Sequence, residues 1–320
     1  MSQIKLILAP MAGFTDKAFR QICQQLGADI TWSEMVSSEG IVRHSLDNNK
    51  SLFLAEKYSP KEKNYWVQIF GKSASAMSQA ASIIEKEIKP FGIDINLGCP
   101  VPKAQKAGYG AIQINNIHQV IEIIHSIKDK ISLPLSLKTR LGIKQPTEIL
   151  SWANLLEEAG INQLVVHART LQGMFIEKPH WETITQLQKN LKIPVVYNGG
   201  IKTPQDAYSY HKKTNIPFLM IGQASLGNPW IFQEIKKYFT SNFTSNYTPP
   251  YQQPNFKQII FQHAQLIQKY YSQKENPFLR FRSHLSFYLK GMPHSKHWKQ
   301  QAVQIKNLQD VENILNQIPV

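Results

Sequence analysis

Eight short apolar runs, rich in β-branched residues, recur along the first three quarters of the chain. They occupy residues 5–11, 29–36, 64–70, 92–98, 133–140, 163–169, 193–200 and 217–224. Helical patterns lie between them, for example at residues 17–26, 74–88, 117–128, 148–159 and 181–191. Near-continuous apolar strands that alternate with helices indicate a parallel sheet covered by helices. Eight such units predict a closed (β/α)₈ TIM barrel of the α/β class over residues 1–240.

An open, doubly wound sheet is the main alternative fold. That fold is expected to have a Gly-rich turn after its first strand. The first strand here is followed instead by Pro10, Met11 and Ala12. The closed barrel is therefore the favoured prediction.

The last quarter of the chain has a different pattern. Residues 241–254 are polar and Pro-rich, which is typical of a linker. Apolar residues then keep helical spacing over residues 256–271 and 278–289, and Gly291 and Pro293 end the second helix. We predict a small all-helical C-terminal domain over residues 255–320.

The charge distribution favours a polyanionic partner for this tail. The chain has a formal net charge of +14, and residues 229–320 contain eleven Lys and Arg against four Asp and Glu. That basic excess fits nucleic acid, although an AT-rich genome with a bias towards Lys and Asn would give a similar composition. Two cysteines cannot form a disulfide framework, and no apolar run approaches the roughly 20 residues that span a bilayer. We therefore expect a cytoplasmic protein without a membrane partner.

Polar groups are concentrated where the predicted strands end. In a parallel barrel these ends share one mouth, so we expect their side chains to meet there. The polar residues at the ends are Ser33, Glu34, Gln68, Asn96, Cys99, Lys138, Arg140, His167, Arg169 and Asn198. The last two strands end in Gly199-Gly200 and Gly222-Gln223, where backbone N–H groups of such barrels bind phosphate. The complete set predicts a binding and catalytic site.

Cys99 is the one thiol in this set. It follows a strand and precedes a Lys- and Gly-rich loop, so its thiol is a candidate proton donor or nucleophile. An inert, buried thiol is the alternative interpretation, as it is for Cys23, which falls within an apolar helical pattern. His167 alone would more often be a core histidine. No Cys/His spacing suggests zinc, and we expect no metal.

These segments resemble those of the tRNA-dihydrouridine synthase family. The matching stretches are residues 8–16, 33–35, 94–100, 137–140, 166–170, 198–201 and 220–222, which read LAPMAGFTD, SEM, DINLGCP, LKTR, VHART, NGGI and MIG. Residues 280–289, RFRSHLSFYL, are similar to the helical RNA-binding domain of the family. The resemblance therefore covers nearly the whole chain in order.

The resemblance implies an FMN-dependent oxidoreductase that reduces the C5=C6 bond of particular uridines in tRNA, with NADPH as reductant. We predict that FMN is bound by Pro10, Met11, Ala12, Gln68, Lys138, His167, Asn198, Gly199, Gly200, Gly222 and Gln223. We predict that tRNA is contacted by Asn96, Lys103, Lys106, Arg140, Arg169, Arg280, Arg282 and Lys290. A monomer is the expected form.

The chemistry of alkene reduction agrees with this assignment. An electron-poor C=C bond needs a hydride on one carbon and a proton on the other. Reduced FMN would give the hydride to C6, and the thiol of Cys99, catalytic in this scheme, would give the proton to C5. Lys138 would stabilise negative charge on the reduced flavin, and Gln68 can both donate to and accept from its pyrimidine edge. His167 would contact the ribityl–phosphate region or the uracil.

The chain departs from the family at three places. Gln223 stands where the family usually has Arg, which removes one charge from the predicted phosphate site. Gln105 stands where the loop after the cysteine commonly has Asn, and residues 174–181 match only loosely. Two other functions remain open at this point. One is an FMN barrel oxidoreductase that acts on a small molecule such as a dihydroorotate or an enone, and the other is a non-catalytic RNA-binding relative.

Overall fold

Eight parallel strands close into a barrel in the computed structural model, which describes residues 4–46, 62–241 and 248–319. The barrel strands are β1 (Lys5–Leu8), β2 (Ile30–Trp32), β4 (Tyr65–Phe70), β5 (Gly92–Leu97), β6 (Leu135–Arg140), β7 (Gln163–His167), β8 (Val195–Asn198) and β9 (Phe218–Ile221). Each of these strands pairs with the next in parallel register, and β9 pairs with β1. The predicted TIM barrel is confirmed, and every predicted run contains one of its strands.

A two-residue strand, β3 (Val36–Ser37), adds to the edge of β4 beyond the closed barrel. The predicted run of residues 29–36 extends from β2 to the first residue of β3. Between the two strands, the Glu34 side chain accepts hydrogen bonds from the N–H of Gly13 and from the Arg280 guanidinium.

Helices follow the strands around the barrel. They are α1 (Lys17–Gln25), α2 (Ser38–Leu46), α3 (Ala74–Glu87), α4 (Pro102–Ala107), α5 (Ile117–Lys128), α6 (Ala153–Glu158), α7 (Trp181–Asn190), α8 (Pro204–Thr214) and α9 (Ile231–Thr240), with short 3₁₀ turns at Gly110–Asn116, Glu148–Ser151 and Gln223–Ser225. Asp16 starts α1 by accepting a hydrogen bond from the N–H of Phe19, and a capping box of Thr203 and Asp206 starts α8. Most of the barrel core lies between this ring and the strands.

The inside of the barrel is filled at one end. Trp32 and Trp66 stack there with ring centroids 5.1 Å apart and an interplanar angle of 3°. A Cβ on Gly92 would lie 2.5 Å from the Trp66 ring, so this strand position needs glycine. Val165, Val196 and Met220 complete the apolar plug. The strand positions beyond it are left for polar side chains.

Four helices form the tail: α10 (Phe256–Tyr271), α11 (Phe278–Tyr288), α12 (Ser295–Ala302) and α13 (Leu308–Gln317), after a 3₁₀ turn at Pro250–Gln252. Their apolar faces share one cluster with Ala18 and Ile22 of α1, with Leu26 directly after it and with Trp230. The cluster therefore extends across the predicted boundary between barrel and tail. The domain limits stay a prediction, and part of the predicted linker, residues 242–247, lies outside the described residues.

No helix in the described ranges combines the length and the apolar character needed to cross a membrane.

Candidate active site at the barrel mouth

Strand alternation turns the predicted polar residues into the barrel. On β5, Ile93, Ile95 and Leu97 face the surrounding helices, so Asp94 and Asn96 point inward. The parallel register places Asn96 beside Lys138 and His167 between Arg140 and Asn198. The side chains near the strand ends therefore form one ring above the apolar plug.

This ring lines a cavity of about 440 Å³. Cys99 and all eleven residues predicted to bind the cofactor line it, as do Asn96, Arg140 and Arg169. Lys103 and Lys106 lie on the exposed side of α4, outside the lining. The lining also includes Phe14, Met35, Val101, Phe175 and Lys202, which sequence reasoning did not select. Phe14 and Met35 fall within the segments that resemble the family, whereas Val101, Phe175 and Lys202 lie in loops after strands, and no sequence pattern marks them as lining residues.

A chain of hydrogen bonds holds the peptide of Cys99. The Gln68 amide nitrogen donates to Asp94 Oδ2 at 2.7 Å, and its oxygen accepts from the Asn96 amide at 2.8 Å. Asn96 Oδ1 in turn accepts from the N–H of Cys99 at 3.1 Å. Asn96 is thus a positioning residue for the loop, and Gln68 supports it. The Cys99 side chain is buried, with its residue only 8% exposed, and lines the cavity.

Burial shifts the pKa values of Asp94 and Lys138 in this ring. Burial raises the pKa of Asp94. Burial and the neighbouring Arg140 lower the pKa of Lys138, whose ammonium donates to Asn198 Oδ1 at 3.1 Å. Both shifts follow from the cost of holding a charge away from water.

His167 is a neutral acceptor at its Nε2 atom. Burial lowers the pKa of His167 well below its ordinary value, and Arg140, Lys138 and Arg169 add to the shift. The Nε2 atom lies 3.1 Å from Arg169 Nη1. Because a guanidinium can only donate, Nε2 carries the lone pair and the ring proton is on Nδ1.

Arg140 ties together two loops beside the cavity. Its Nε donates to the carbonyl of Gly98 at 3.1 Å, and its Nη1 donates to the carbonyls of Thr170 and Met174, each at 2.9 Å. One guanidinium therefore holds both the start of the loop that contains Cys99 and the loop after β7. Arg140 was predicted as a tRNA contact, which stays a prediction.

The tail residues predicted to contact tRNA are in three different environments. Arg280 lies between the tail and the barrel, where its Nη1 is 3.0 Å from Glu34 Oε2 and 3.6 Å from Asp16 Oδ2. Arg282 is partly buried and donates from Nε to the carbonyl of Ile305 at 3.0 Å. Lys290 is exposed. Of the three side chains, Lys290 is the one directed to solvent, and Arg280 is engaged by carboxylates.

A second buried polar cluster lies where α1 meets the tail. Ligand atoms of Asp16, His263 and His284 lie within 4.8 Å of one another, the one such grouping in the described chain that could hold a metal ion. Asp16 Oδ2 and three imidazole nitrogens have no hydrogen-bond partner among the described residues. The guanidinium of Arg280 lies beside the same carboxylate and competes with any cation. The predicted absence of a metal stays a prediction.

Solved structures with a similar fold agree with the barrel. A 2-naphthoyl-CoA reductase in complex with 2-naphthoyl-CoA matches with a TM-score of 0.58 and 11% identity, over 73% of this chain and 50% of that chain. Histamine dehydrogenase from Rhizobium sp. 4-9 matches with a TM-score of 0.57 and 10% identity, over 87% of this chain and 51% of that chain. This chain thus spans about half the length of each. At these identities the likeness concerns the fold alone.

Sequence comparison extends over nearly the whole chain. A probable tRNA-dihydrouridine synthase of Aquifex aeolicus is 31% identical over 311 residues, which cover 96% of this chain and 93% of that protein. A tRNA-dihydrouridine synthase B of Pseudomonas aeruginosa is 32% identical over 96% of this chain and 90% of that protein, and one of Shewanella oneidensis is 35% identical over 89% and 86%. The family model described as dihydrouridine synthase (Dus) matches residues 7–319. The chain belongs to the dihydrouridine synthase family.

Proposed function

We propose that this protein is an FMN-dependent tRNA-dihydrouridine synthase that reduces the C5=C6 bond of uridines in tRNA. The observation that carries the proposal is the placement of Cys99 in one cavity with Lys138, Arg140, His167 and Arg169. A thiol beside several fixed cations suits the protonation of an electron-poor alkene in a chain of this family.

The residues at the ends of β8 and β9 fit a flavin phosphate. Gly199 and Gly200 have φ angles of +114° and +73°, and a Cβ on Gly199 would lie 2.7 Å from the His167 ring. The N–H groups of Gly200 and Gln223 donate no hydrogen bond to any described residue. A close backbone approach with unused donors is the arrangement that binds phosphate. Gln223 lacks the side-chain charge of the Arg that the family usually has there, but it keeps the backbone N–H donor.

The cavity also fits the size and charge of the cofactor. Its volume lies within the range of pockets that hold cofactors, roughly 300–1,000 Å³. Bound FMN would supply hydride equivalents that it takes from NADPH. Lys138, fixed by Asn198, would stabilise negative charge on the flavin, and His167 would offer its Nδ1–H as a neutral donor.

Cys99 would supply the proton that completes the reduction. Its peptide is fixed by Asn96, and the carbonyl before it is fixed by Arg140. The thiol would give its proton to C5 of the uracil and become a thiolate, and bound FMN would supply the hydride for C6, so that the product is dihydrouridine. The nearby charges of Lys138 and Arg140 stabilise that thiolate until it is protonated again.

The proposal is tested by anaerobic single-turnover experiments. The purified protein should carry FMN, NADPH should bleach the flavin, and tRNA that lacks dihydrouridine should restore its colour. Free uridine should not restore it on the same time scale. A Lys138→Ala variant should retain less FMN or be reduced more slowly, whereas Lys189→Gln, on the exposed side of α7, should behave as wild type.

Two results would contradict the proposal. One is a protein that neither purifies with FMN nor takes it up on reconstitution. The other is reoxidation of the reduced flavin by free uridine at the same rate as by tRNA, which would favour a small-molecule oxidoreductase.

A further inference from the structure

Exposed hydrophobic side chains are concentrated beside the cavity. Eight large hydrophobic residues are exposed in the described ranges, and four of them lie at this mouth. These four are Val101 (50% exposed), Met174 (36%), Phe175 (50%) and Ile176 (96%), here called the apolar rim. The other four, Phe91, Leu155, Leu279 and Val303, lie on different elements. Single exposed hydrophobics are ordinary, but a group of them beside a cavity indicates a binding surface.

The rim belongs to two loops that border the cavity. Val101 lies two residues after Cys99, immediately before α4, and Met174, Phe175 and Ile176 lie between β7 and α7. Val101 and Phe175 both line the cavity itself. The rim is therefore continuous with the surface on which the reaction is proposed to occur.

Hydrogen bonds hold the rim in its exposed position. Arg140 binds the carbonyls of Gly98 and Met174, and its guanidinium carbon lies 5.4 Å from the Phe175 ring centroid. The carbonyl of Gly173 accepts from the N–H of Ile176. Glu177 accepts from the N–H and hydroxyl of Thr170 and so closes the same turn. The loop is thus fixed with Ile176 directed to solvent.

The charges beside the rim indicate what covers it. Lys103 and Lys106 follow Val101 on α4, and Lys178 follows Ile176 by two residues; all three are exposed. An apolar strip bordered by ammonium groups is complementary to single-stranded nucleic acid, whose bases are flat and apolar and whose backbone is anionic.

We propose that the apolar rim contacts the nucleobases next to the target uridine when that uridine enters the cavity. This inference rests on the proposed function. A uridine that leaves its stack exposes the faces of its neighbours, at a cost of a few kcal/mol. Contacts of those faces with Val101 and Ile176 offset part of this cost. The rim would thereby influence which sequence around a uridine is accepted.

The test compares serine variants that remove exposed aliphatic groups inside and outside the rim. The rim variants are Val101→Ser with Ile176→Ser and Ile176→Ser alone, and the control is Leu155→Ser, at an exposed position on the barrel helix α6. Binding of tRNA that lacks dihydrouridine is measured at several salt concentrations. The double rim variant should bind about tenfold more weakly, with an unchanged log–log salt slope, because the lost contacts are apolar. The control should bind as wild type.

A charge variant separates the two kinds of contact. Lys103→Gln with Lys106→Gln should lower the salt slope by about two. FMN content and its reduction by NADPH should be normal in Ile176→Ser, because Ile176 does not line the cavity. Ile176→Ser alone provides a second measurement should the double variant fold poorly.

Three results would overturn the inference. The double rim variant could bind tRNA as tightly as wild type, or its salt slope could fall as in the lysine variant. The wild type could also be a dimer that the double rim variant converts to a monomer with unchanged tRNA affinity, which would assign the rim to a second copy of the chain. Failure of the proposed function differs from all three, because the wild type itself would then not reduce tRNA.

Discussion

The barrel mouth and the junction between barrel and tail use positive charge in opposite ways. At the mouth, Lys138, Arg140 and Arg169 face one cavity and bind carbonyl, amide or imidazole groups. At the junction, Arg280 lies against Asp16 and Glu34. Among the described residues, the three cations at the mouth form no ion pair, although Asp94 and Glu177 interact at longer range with Lys138 and Arg140, whereas the cation at the junction is paired.

This difference indicates two roles for positive charge: ligand binding at the mouth and packing of the tail against the barrel at the junction. Cations without carboxylate partners give a cavity a positive potential, which favours an anionic ligand such as a phosphate. Ion pairs between packed elements fix their orientation instead. The junction also reaches the mouth, because Glu34 Oε1 accepts from the N–H of Gly13, next to cavity residues Ala12 and Phe14.

The largest effect is expected at the mouth, from Cys99→Ala. Reduction of tRNA should fall by roughly 10²-fold or more because the general acid is lost. FMN retention and flavin reduction by NADPH should remain nearly normal. Single-turnover reoxidation of the reduced enzyme by tRNA measures the effect.

Cys23→Ala is the matched control, because the Cys23 thiol is fully buried in the apolar core near α1. This variant also removes a thiol, but it should change the reduction of tRNA little. Equal activity of the two variants would remove Cys99 from the mechanism.

A smaller effect, on stability, is expected at the junction from Arg280→Gln. The variant leaves the buried carboxylate of Asp16 without its cation, so the free energy of unfolding should fall by about 1–3 kcal/mol. The salt slope of tRNA binding should not change. Lys290→Gln should instead leave thermal unfolding normal and lower the log–log salt slope of tRNA binding by about one. A lower slope in the Arg280 variant would support the predicted tRNA contact of Arg280 instead.

A pH dependence of stability is also expected at the junction. Burial lowers the pKa of His284 to about 3 and that of His263 well below its ordinary value. Below pH 6.5 the unfolded chain therefore binds more protons, and stability should fall by up to about 1.4 kcal/mol per pH unit for each histidine. Burial raises the pKa of Asp16, which acts in the opposite direction once that carboxyl is protonated.

Urea unfolding between pH 7 and pH 5 measures this dependence. His284→Gln should reduce the slope of stability against pH by about half. His118→Gln, at an exposed position on α5, should leave it unchanged. An unaltered slope in the His284 variant would mean that the histidine is not kept neutral by burial.

The barrel could be predicted from sequence because its topology brings strand ends together. Once eight strands are recognised, alternation alone decides that Asn96, Lys138 and His167 point inward. What the pattern could not give is how the polar groups bind one another. The link from Asp94 through Gln68 to Asn96 depends on the register of β4 and β5, which is set by closure of the whole barrel.

The tail was less predictable because the spacing of apolar residues along a helix does not show which element packs against its apolar face. The sequence placed Arg280 among the phosphate contacts, yet packing of α11 against the barrel brings it to Glu34. The helices α12 and α13 were not resolved by the pattern, being short and polar. The exposed Ile176 was missed because a loop residue has no periodicity that reveals its environment.

The apolar cluster shared by α1, Trp230 and the tail has a consequence for protein engineering. A module that can be exchanged between enzymes carries its whole core with it. Here Ala18, Ile22 and Leu26 are barrel residues whose apolar partners lie in α10 to α13. A chimaera joined in the linker would set a foreign tail against these side chains, and a truncated chain would expose them to water. Transplanting a different set of tail helices onto this barrel would therefore require redesign of the outer face of α1 as well.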